Sequence, residues 1–260
     1  MSLENKTIVV TGAASGIGEE CARLMKSRGA QIIGIDRNPT ERNVDLFIRA
    51  DLGDPASIAA AVKQIPHGLD ALCNIAGLPP TCSAASVLRV NFTGLRELTE
   101  ALISKMNDGA SIVNLASLAG LGWPATLDQV KALIALRDFD QVEKLCGDQG
   151  IDDVRSYFLS KEALIVWTMQ NRWTWRSRNI RMNAVSPGPV ETAIHQDFLQ
   201  TLGKRAEEDM RLLERVARPE DIAPVVAFLC SEQSAWIRGT NIPCDGGMLS
   251  HVYCDMNGLV

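Results

Sequence analysis

Tyr157 and Lys161 are the residues whose types and spacing could move a proton. Residues four apart on a helix share one face, so phenol and ammonium would sit side by side. A phenol titrates near 10, and lowering it by about three units to make a base at neutral pH takes roughly 4 kcal/mol. A neighbouring ammonium favours the phenolate, as would a cationic ring bound next to it. A Tyr-x-x-x-Lys string also arises by chance as a surface pair. Only two tyrosines exist, however, and the other, Tyr253, lies in the C-terminal tail. Ser117, after the strand-like run Ser111 to Leu115, could hold a substrate oxygen beside the phenol. Asn91, in Val90-Asn91-Phe92-Thr93-Gly94, could hold a water that relays the proton onward. For either residue alone, a cap or turn is the more frequent role.

A second set could hold an anion and a ribose. Gly12, Ser15, Gly16, Ile17 and Gly18 form a glycine-rich turn after the first strand-like run, where a helix opens. The glycines let the backbone approach a pyrophosphate, and the helix N-terminus offers free N–H groups. Asp36 ends the second run and could accept hydrogen bonds from ribose hydroxyls while repelling a 2′-phosphate, which favours NAD over NADP. Arg37, the next residue, could pair with that phosphate if it turned inward. Asp51 and Leu52 end the third run, where a carboxylate could receive an adenine amino group; an N-terminal helix acid near Pro55 reads almost as well. Asn74, Ala76 and Gly77 follow the fourth run, where small residues allow close approach of a nicotinamide ribose and Asn74 could equally form a turn. Pro187, Gly188, Val190 and Thr192 follow the run Ile180 to Val185 and could bend the chain over the nicotinamide, or simply end a strand.

The elements that must position these residues follow from the hydrophobic pattern. Thr7 to Val10, Gln31 to Ile35, Leu46 to Ala50, Leu69 to Ile75, Ser111 to Leu115, Ile180 to Val185 and Asn241 to Ile242 read as strands. Most are continuous apolar runs, as in a parallel sheet buried on both faces. Gly18 to Arg28, Pro55 to Ile65, Leu95 to Lys105, Tyr157 to Arg176 and Glu220 to Leu229 read as helices. The alternation predicts an α/β fold, a doubly wound parallel sheet of the Rossmann type, in one domain over residues 1–260. Two stretches fit less well: 121–156, an expected insertion between Ser117 and Tyr157 with a helical run Leu127 to Phe139 and an acidic, glycine-containing end, and 193–218, an expected substrate lid.

Composition excludes several classes. The 260 residues sum to a net charge of −5, which argues against a nucleic-acid partner. No apolar run is long enough to span a membrane, and the short polar start, Met1 to Lys6, does not read as a signal peptide. Seven scattered cysteines without a C-x-x-C predict a reducing, cytoplasmic setting, and three distant histidines predict no metal site.

Together, Gly12-x-x-x-Gly16-x-Gly18, Asp36, Asn74-x-Ala76-Gly77, Asn91, Ser117, Tyr157-x-x-x-Lys161 and Pro187-Gly188 resemble the short-chain dehydrogenase/reductase family, from Lys6 to Gly247. The resemblance implies a seven-stranded Rossmann-type sheet, hydride transfer with NAD, and a catalytic tetrad of Asn91, Ser117, Tyr157 and Lys161. In it Tyr157 is the acid/base, Ser117 orients the substrate oxygen, Lys161 lowers the phenol pKa and binds the nicotinamide ribose, and Asn91 holds the relay water.

Two departures narrow the subgroup. Only 13 residues separate Gly77 from Asn91, fewer than in most relatives, and 39 separate Ser117 from Tyr157, many more. The same combination occurs in the bacterial 3α-hydroxysteroid dehydrogenase/carbonyl reductase group and in coniferyl-alcohol dehydrogenases. Leu72-Cys73-Asn74-Ile75-Ala76-Gly77, Lys161-Glu162-Ala163-Leu164-Ile165-Val166-Trp167 and Asn241-Ile242-Pro243 lean toward the latter. The expected substrate is a bulky apolar alcohol, or the matching ketone or aldehyde, with a coniferyl-type aryl alcohol ahead of a 3α-hydroxysteroid. Trp123 could wall such a ligand or merely pack, while Trp167, Trp173 and Trp175 read as packing or interface residues of the long helix. In typical relatives the helices flanking both departures form the dimer contact, so an insertion there predicts a homodimer through another face. A non-catalytic NAD-binding sensor would have no need of all four tetrad residues. An enoyl reductase would show a wider Tyr-to-Lys spacing, and an extended epimerase a longer chain.

Overall fold

The computed structural model describes residues 2–193, 197, 201, 203, 211 and 213–259. Seven strands form one sheet: β1 (Thr7–Thr11), β2 (Gln31–Asp36), β3 (Leu46–Arg49), β4 (Leu69–Asn74), β5 (Met106–Leu115), β6 (Arg181–Pro187) and β7 (Asn241–Cys244), in the order β3-β2-β1-β4-β5-β6-β7. Every pairing is parallel. Successive strand residues face opposite sides, and both sides are apolar: Val9 of β1 joins one buried cluster, and Ile8 and Val10 join the other. Helices α1 (Gly16–Ser27) and α8 (Pro219–Cys230) cover the side of Ile8. The opposite side is covered by α2 (Pro55–Gln64), α3 (Ala84–Leu88), α4 (Leu95–Leu102) and α7 (Asp153–Gln170). The strand order reverses between β1 and β4, so a crevice opens at their carboxyl ends, where doubly wound sheets bind ligands.

Local chemistry sets the helix starts. Asp54 accepts a hydrogen bond from Ala56 N, with Pro55 as the first residue of α2; Asp152 does the same for Arg155 N ahead of α7. Between α3 and α4 the chain makes a π-helical turn, Arg89–Gly94, which carries Asn91.

Several boundaries differ from those the sequence suggests. β5 begins at Met106, five residues before Ser111, because it contains Asn107, Asp108 and Gly109, whose polar character masks a strand. β7 includes Pro243, tolerated on an edge strand. α7 starts at Asp153, four residues before Tyr157, and stops at Gln170 rather than Arg176: the Asn171 side chain donates to Trp167 O, and two 3₁₀ turns follow. Trp173 therefore lies beyond the helix, 58% exposed, and Trp175 lies between the two turns; Trp167 remains in α7 and packs edge-on against Phe92. The long stretch after Ser117 is a 3₁₀ segment, Leu118–Thr126, then α5 (Leu127–Ala135) and α6 (Gln141–Gln149). The acidic, glycine-containing piece is thus mostly helical, and Gly150 ends it in the left-handed region. α5 packs against α7 and α6 against α3, and backbone carbonyls around them are held from the α4 side: Arg96 donates to Ile134 O and Leu136 O, and Arg89 of the π-turn to Phe139 O. A last helix, α9 (Met248–Met256), follows β7. Most of the expected lid, 193–218, including His195, lies outside the described residues. Among the described residues no helix is long and apolar enough to cross a membrane, and no cluster of potential metal ligands occurs.

Candidate active site

The four residues expected to react converge at the carboxyl end of the sheet. Tyr157 and Lys161 project from α7; Ser117 follows β5; Asn91 comes from the π-turn. Tyr157 shares a side-chain hydrogen bond with Ser117. Lys161 Nζ lies 5.7 Å from the centre of the Tyr157 ring and donates to Leu115 O at 2.8 Å. Gly77 lies beside both the amide of Asn91 and the ammonium: a Cβ there would sit 3.3 Å from Asn91 Oδ1 and 3.9 Å from Lys161 Nζ.

The electrostatics run against the expectation of a phenol made acidic by its neighbour. Burial pushes Tyr157 up to about 12, opposed only by the Ser117 hydrogen bond. Burial also lowers Lys161 to about 8. Desolvation disfavours both charged forms, and it outweighs the pairing because the ammonium faces the ring and a backbone carbonyl. At neutral pH the site therefore holds a protonated phenol ready to donate, beside a lysine that is mostly charged.

The Asn91 and Asn74 side chains are both engaged by protein partners. Asn91 Oδ1 accepts from Leu78 N at 2.7 Å and its Nδ2 donates to Leu78 O at 3.0 Å, so the amide clamps the loop after β4. The amide thereby fixes the loop after β4 against the π-turn. Asn74 is buried and donates to Thr99 and Asn114, whose amide donates in turn to Thr168. Its side chain ties β4, β5, α4 and α7 together and does not enter the cleft. Thr11, at the end of β1, was not singled out from the sequence; its hydroxyl accepts from Ile75 N and Ala76 N and draws the ends of β1 and β4 together.

Of the residues expected to hold a cofactor, some border the crevice and some do not. Gly12 has φ +72°, and a Cβ there would sit 3.0 Å from the Ala76 backbone. At Gly18 a Cβ would collide with the Gly12 carbonyl, so α1 can begin this close to the turn only with glycine there. Ser15 is the N-cap of α1 and Ile17 its second residue, within the first turn, whose N–H groups have no partner inside the helix. The Asp36 carboxylate is fixed by Ala14 N at 3.1 Å and Asn38 N at 2.9 Å. Past it an open cleft of about 470 Å³ is lined by Arg37, Asn38, Arg49, Ala50, Asp51 and Ser57. Asp51 faces this cleft, but Leu52 packs into the core, so its side chain offers the cleft nothing. Thr192 lies across the turn, with its methyl 3.3 Å from where a Gly16 Cβ would be. Pro187 ends β6, Gly188 packs against Asp245, and Val190 is buried in a bridge to Ala217, so this strand end meets the glycine turn from the far side. A glycine turn, a fixed acid and an open cleft beyond it suit the pyrophosphate, ribose and adenine of a nicotinamide dinucleotide.

Comparison with known proteins decides the family. Residues 6–127 match the model described as short chain dehydrogenase, and residues 141–249 match one described as Enoyl-(Acyl carrier protein) reductase. The coniferyl-alcohol dehydrogenase of Pseudomonas sp. is 44% identical over 252 residues, covering 96% of this chain and 99% of its own. The chain belongs to the short-chain dehydrogenase/reductase family. It is also 30% identical to the 3-alpha-hydroxysteroid dehydrogenase/carbonyl reductase of Comamonas testosteroni, over 93% of this chain and 95% of that one. A 3-alpha-hydroxysteroid dehydrogenase from Pseudomonas sp., solved with NADH, shares the fold with a TM-score of 0.81 at 30% identity, over 95% and 98% of the two chains. The protein is thus an oxidoreductase that uses a nicotinamide cofactor.

Proposed function

We propose that this protein is an NAD-dependent dehydrogenase of bulky apolar alcohols, reversible as a carbonyl reductase, with Tyr157 as acid/base. The Ser117–Tyr157 hydrogen bond beside Lys161 carries the proposal, because it brings an oxygen-orienting hydroxyl and a buried proton donor to one point. When bound, the nicotinamide supplies or accepts the hydride. The chain's own residues do the rest. Ser117 orients the substrate oxygen, and Tyr157 gives it a proton in reduction or takes one in oxidation. Lys161 places positive charge behind the phenol and binds the nicotinamide ribose. The glycine turn and the first N–H groups of α1 hold the pyrophosphate. Asp36 receives the ribose hydroxyls and disfavours a 2′-phosphate, with Arg37 and Asp51 framing the adenine.

The 44% identity with a coniferyl-alcohol dehydrogenase, against 30% with the steroid enzymes, supports a coniferyl-type aryl alcohol as substrate ahead of a 3α-hydroxysteroid. Trp123, half-buried against the face that carries α7, is an apolar surface such a ligand would meet. Coniferyl alcohol and a 3α-hydroxysteroid, each tested with NAD and NADP at alkaline pH, check the reading. Turnover of the aryl alcohol with NAD is expected, and turnover of the steroid alone would replace it with the second reading. Because α5 packs on α7 and α6 on α3, next to the helices that form the dimer contact in typical relatives, a homodimer would form through another surface; a monomer in solution scattering refutes this. All seven cysteines are free thiols, which suits a reducing cytoplasmic compartment.

A further inference from the structure

Ser117 and the phenol it bonds come from different parts of the chain, and their separation must be held by something between them. Ser117 caps the 3₁₀ segment Leu118–Thr126, its Oγ accepting from Ala119 N at 3.2 Å. That segment is seated on α7 at two points. At the first, Gly120 is pressed against the helix backbone: a Cβ there would lie 2.6 Å from Lys161 O. At the second, Thr126 Oγ1 donates to Glu162 Oε2 at 2.7 Å.

Glu162 is the residue after Lys161, with its side chain 3% exposed. Arg155 binds both its oxygens, at 3.0 and 2.6 Å, and spends its Nε on Gln129 of α5 at 2.8 Å. Arg155 and Glu162 lie two turns apart on one side of α7, with Glu162 roughly 100–140° around the helix from Lys161 and Tyr157. A buried carboxylate is costly unless paired, and such pairs are better known for fixing geometry than for adding stability. Here the pair faces the segment that begins at Ser117, and Gly122 leaves room for it, a Cβ there coming within 3.3 Å of Glu162 Oε1.

We propose that Glu162, oriented by Arg155, is a positioning residue: through Thr126 it sets the seat of 118–126 on α7, and thereby the alignment of the Ser117 hydroxyl with the Tyr157 phenol. Neither residue touches the reacting atoms; both act through the serine. The inference rests on the roles given above to Ser117 and Tyr157.

The test is Thr126→Val against Thr126→Ser, with Glu162→Gln and Tyr157→Phe alongside. Thr126 makes no side-chain cap for α5, so valine, which has nearly the same shape, removes only the bond to Glu162. In NAD-dependent oxidation of coniferyl alcohol, Thr126→Val lowers kcat about fivefold or more with KM for NAD within about twofold, as loss of transition-state alignment requires. Thr126→Ser, which keeps the hydroxyl, restores kcat to within about twofold of the unmodified enzyme, and Glu162→Gln loses more than Thr126→Val. Unchanged kcat in Thr126→Val, a loss that serine does not recover, or a loss matched by a fall in melting temperature overturns the proposal. Activity surviving in Tyr157→Phe overturns the phenol assignment and this inference with it. An inactive Tyr157→Phe beside a fully active Thr126→Val overturns the inference alone.

Discussion

Replacing Lys161 with methionine should make the protein inactive, and more stable at neutral pH by an amount that disappears as pH rises. Lys161 titrates at 10.5 when free and at about 8 in the fold, because burial disfavours its ammonium. That fall is worth about 3 kcal/mol against folding at pH 7, where both states bind the proton. Methionine removes this cost but gives up the hydrogen bond to Leu115 O and leaves that carbonyl short of a partner, which costs about 1–2 kcal/mol. The variant should therefore be about 1–2 kcal/mol more stable at pH 7. Between pH 8 and 10.5 the folded lysine is neutral while the unfolded one still holds its proton, so wild-type stability rises with pH; from pH 7 to pH 10 it should gain about 2.5 kcal/mol on the variant. Tyr157, raised to about 12, lowers stability above pH 10 in both proteins and cancels in the comparison. Urea unfolding of the two at pH 7, 8, 9 and 10 reads the difference directly. Parallel curves across that range would show that the buried amine is not desolvated in the fold, and the reasoning would fail.

Three further outcomes follow from the same geometry. Tyr157→Phe should retain less than about a tenth of wild-type turnover, with NAD binding by fluorescence within about twofold, since the hydroxyl donates the proton and does not hold the dinucleotide. Gly18→Ala should weaken NAD binding by about tenfold or more, because its methyl meets the Gly12 carbonyl and must distort the turn; titration calorimetry giving an unchanged Kd would contradict this. Asp36→Asn should cut the ratio of kcat/KM for NAD over NADP by about tenfold, since a neutral amide no longer repels a 2′-phosphate and Arg37 and Arg49 line the adjoining cleft; an unmoved ratio would place the discrimination elsewhere.

Much of this site was legible because its chemistry is local. The glycine turn, the acid at the end of β2, and Tyr157 with Lys161 are short strings whose spacing alone carries meaning, and continuous apolar runs marked most of the strands. Polar residues hid the start of β5, and the helical character of Gln141–Gln149 was masked by its acids and its glycine. The protein partners of the Asn74 and Asn91 side chains were not legible, for one reason. An amide serves a turn, a core network or a ligand equally well, and only its neighbours in space choose among them.

Residue type and order alone therefore determined the class of fold, the end of the sheet at which the glycine turn lies, and the pairing of Tyr157 with Lys161 on one helix. They did so because backbone turns, helix faces and strand burial depend on residues close in sequence. The ionisation of that phenol depends on tertiary packing. Whether a phenol beside an amine becomes acidic or is held protonated depends on how much water remains around both and where the amine's hydrogens point, and α7, Leu115 and Ser117 are brought to that point from distant parts of the chain.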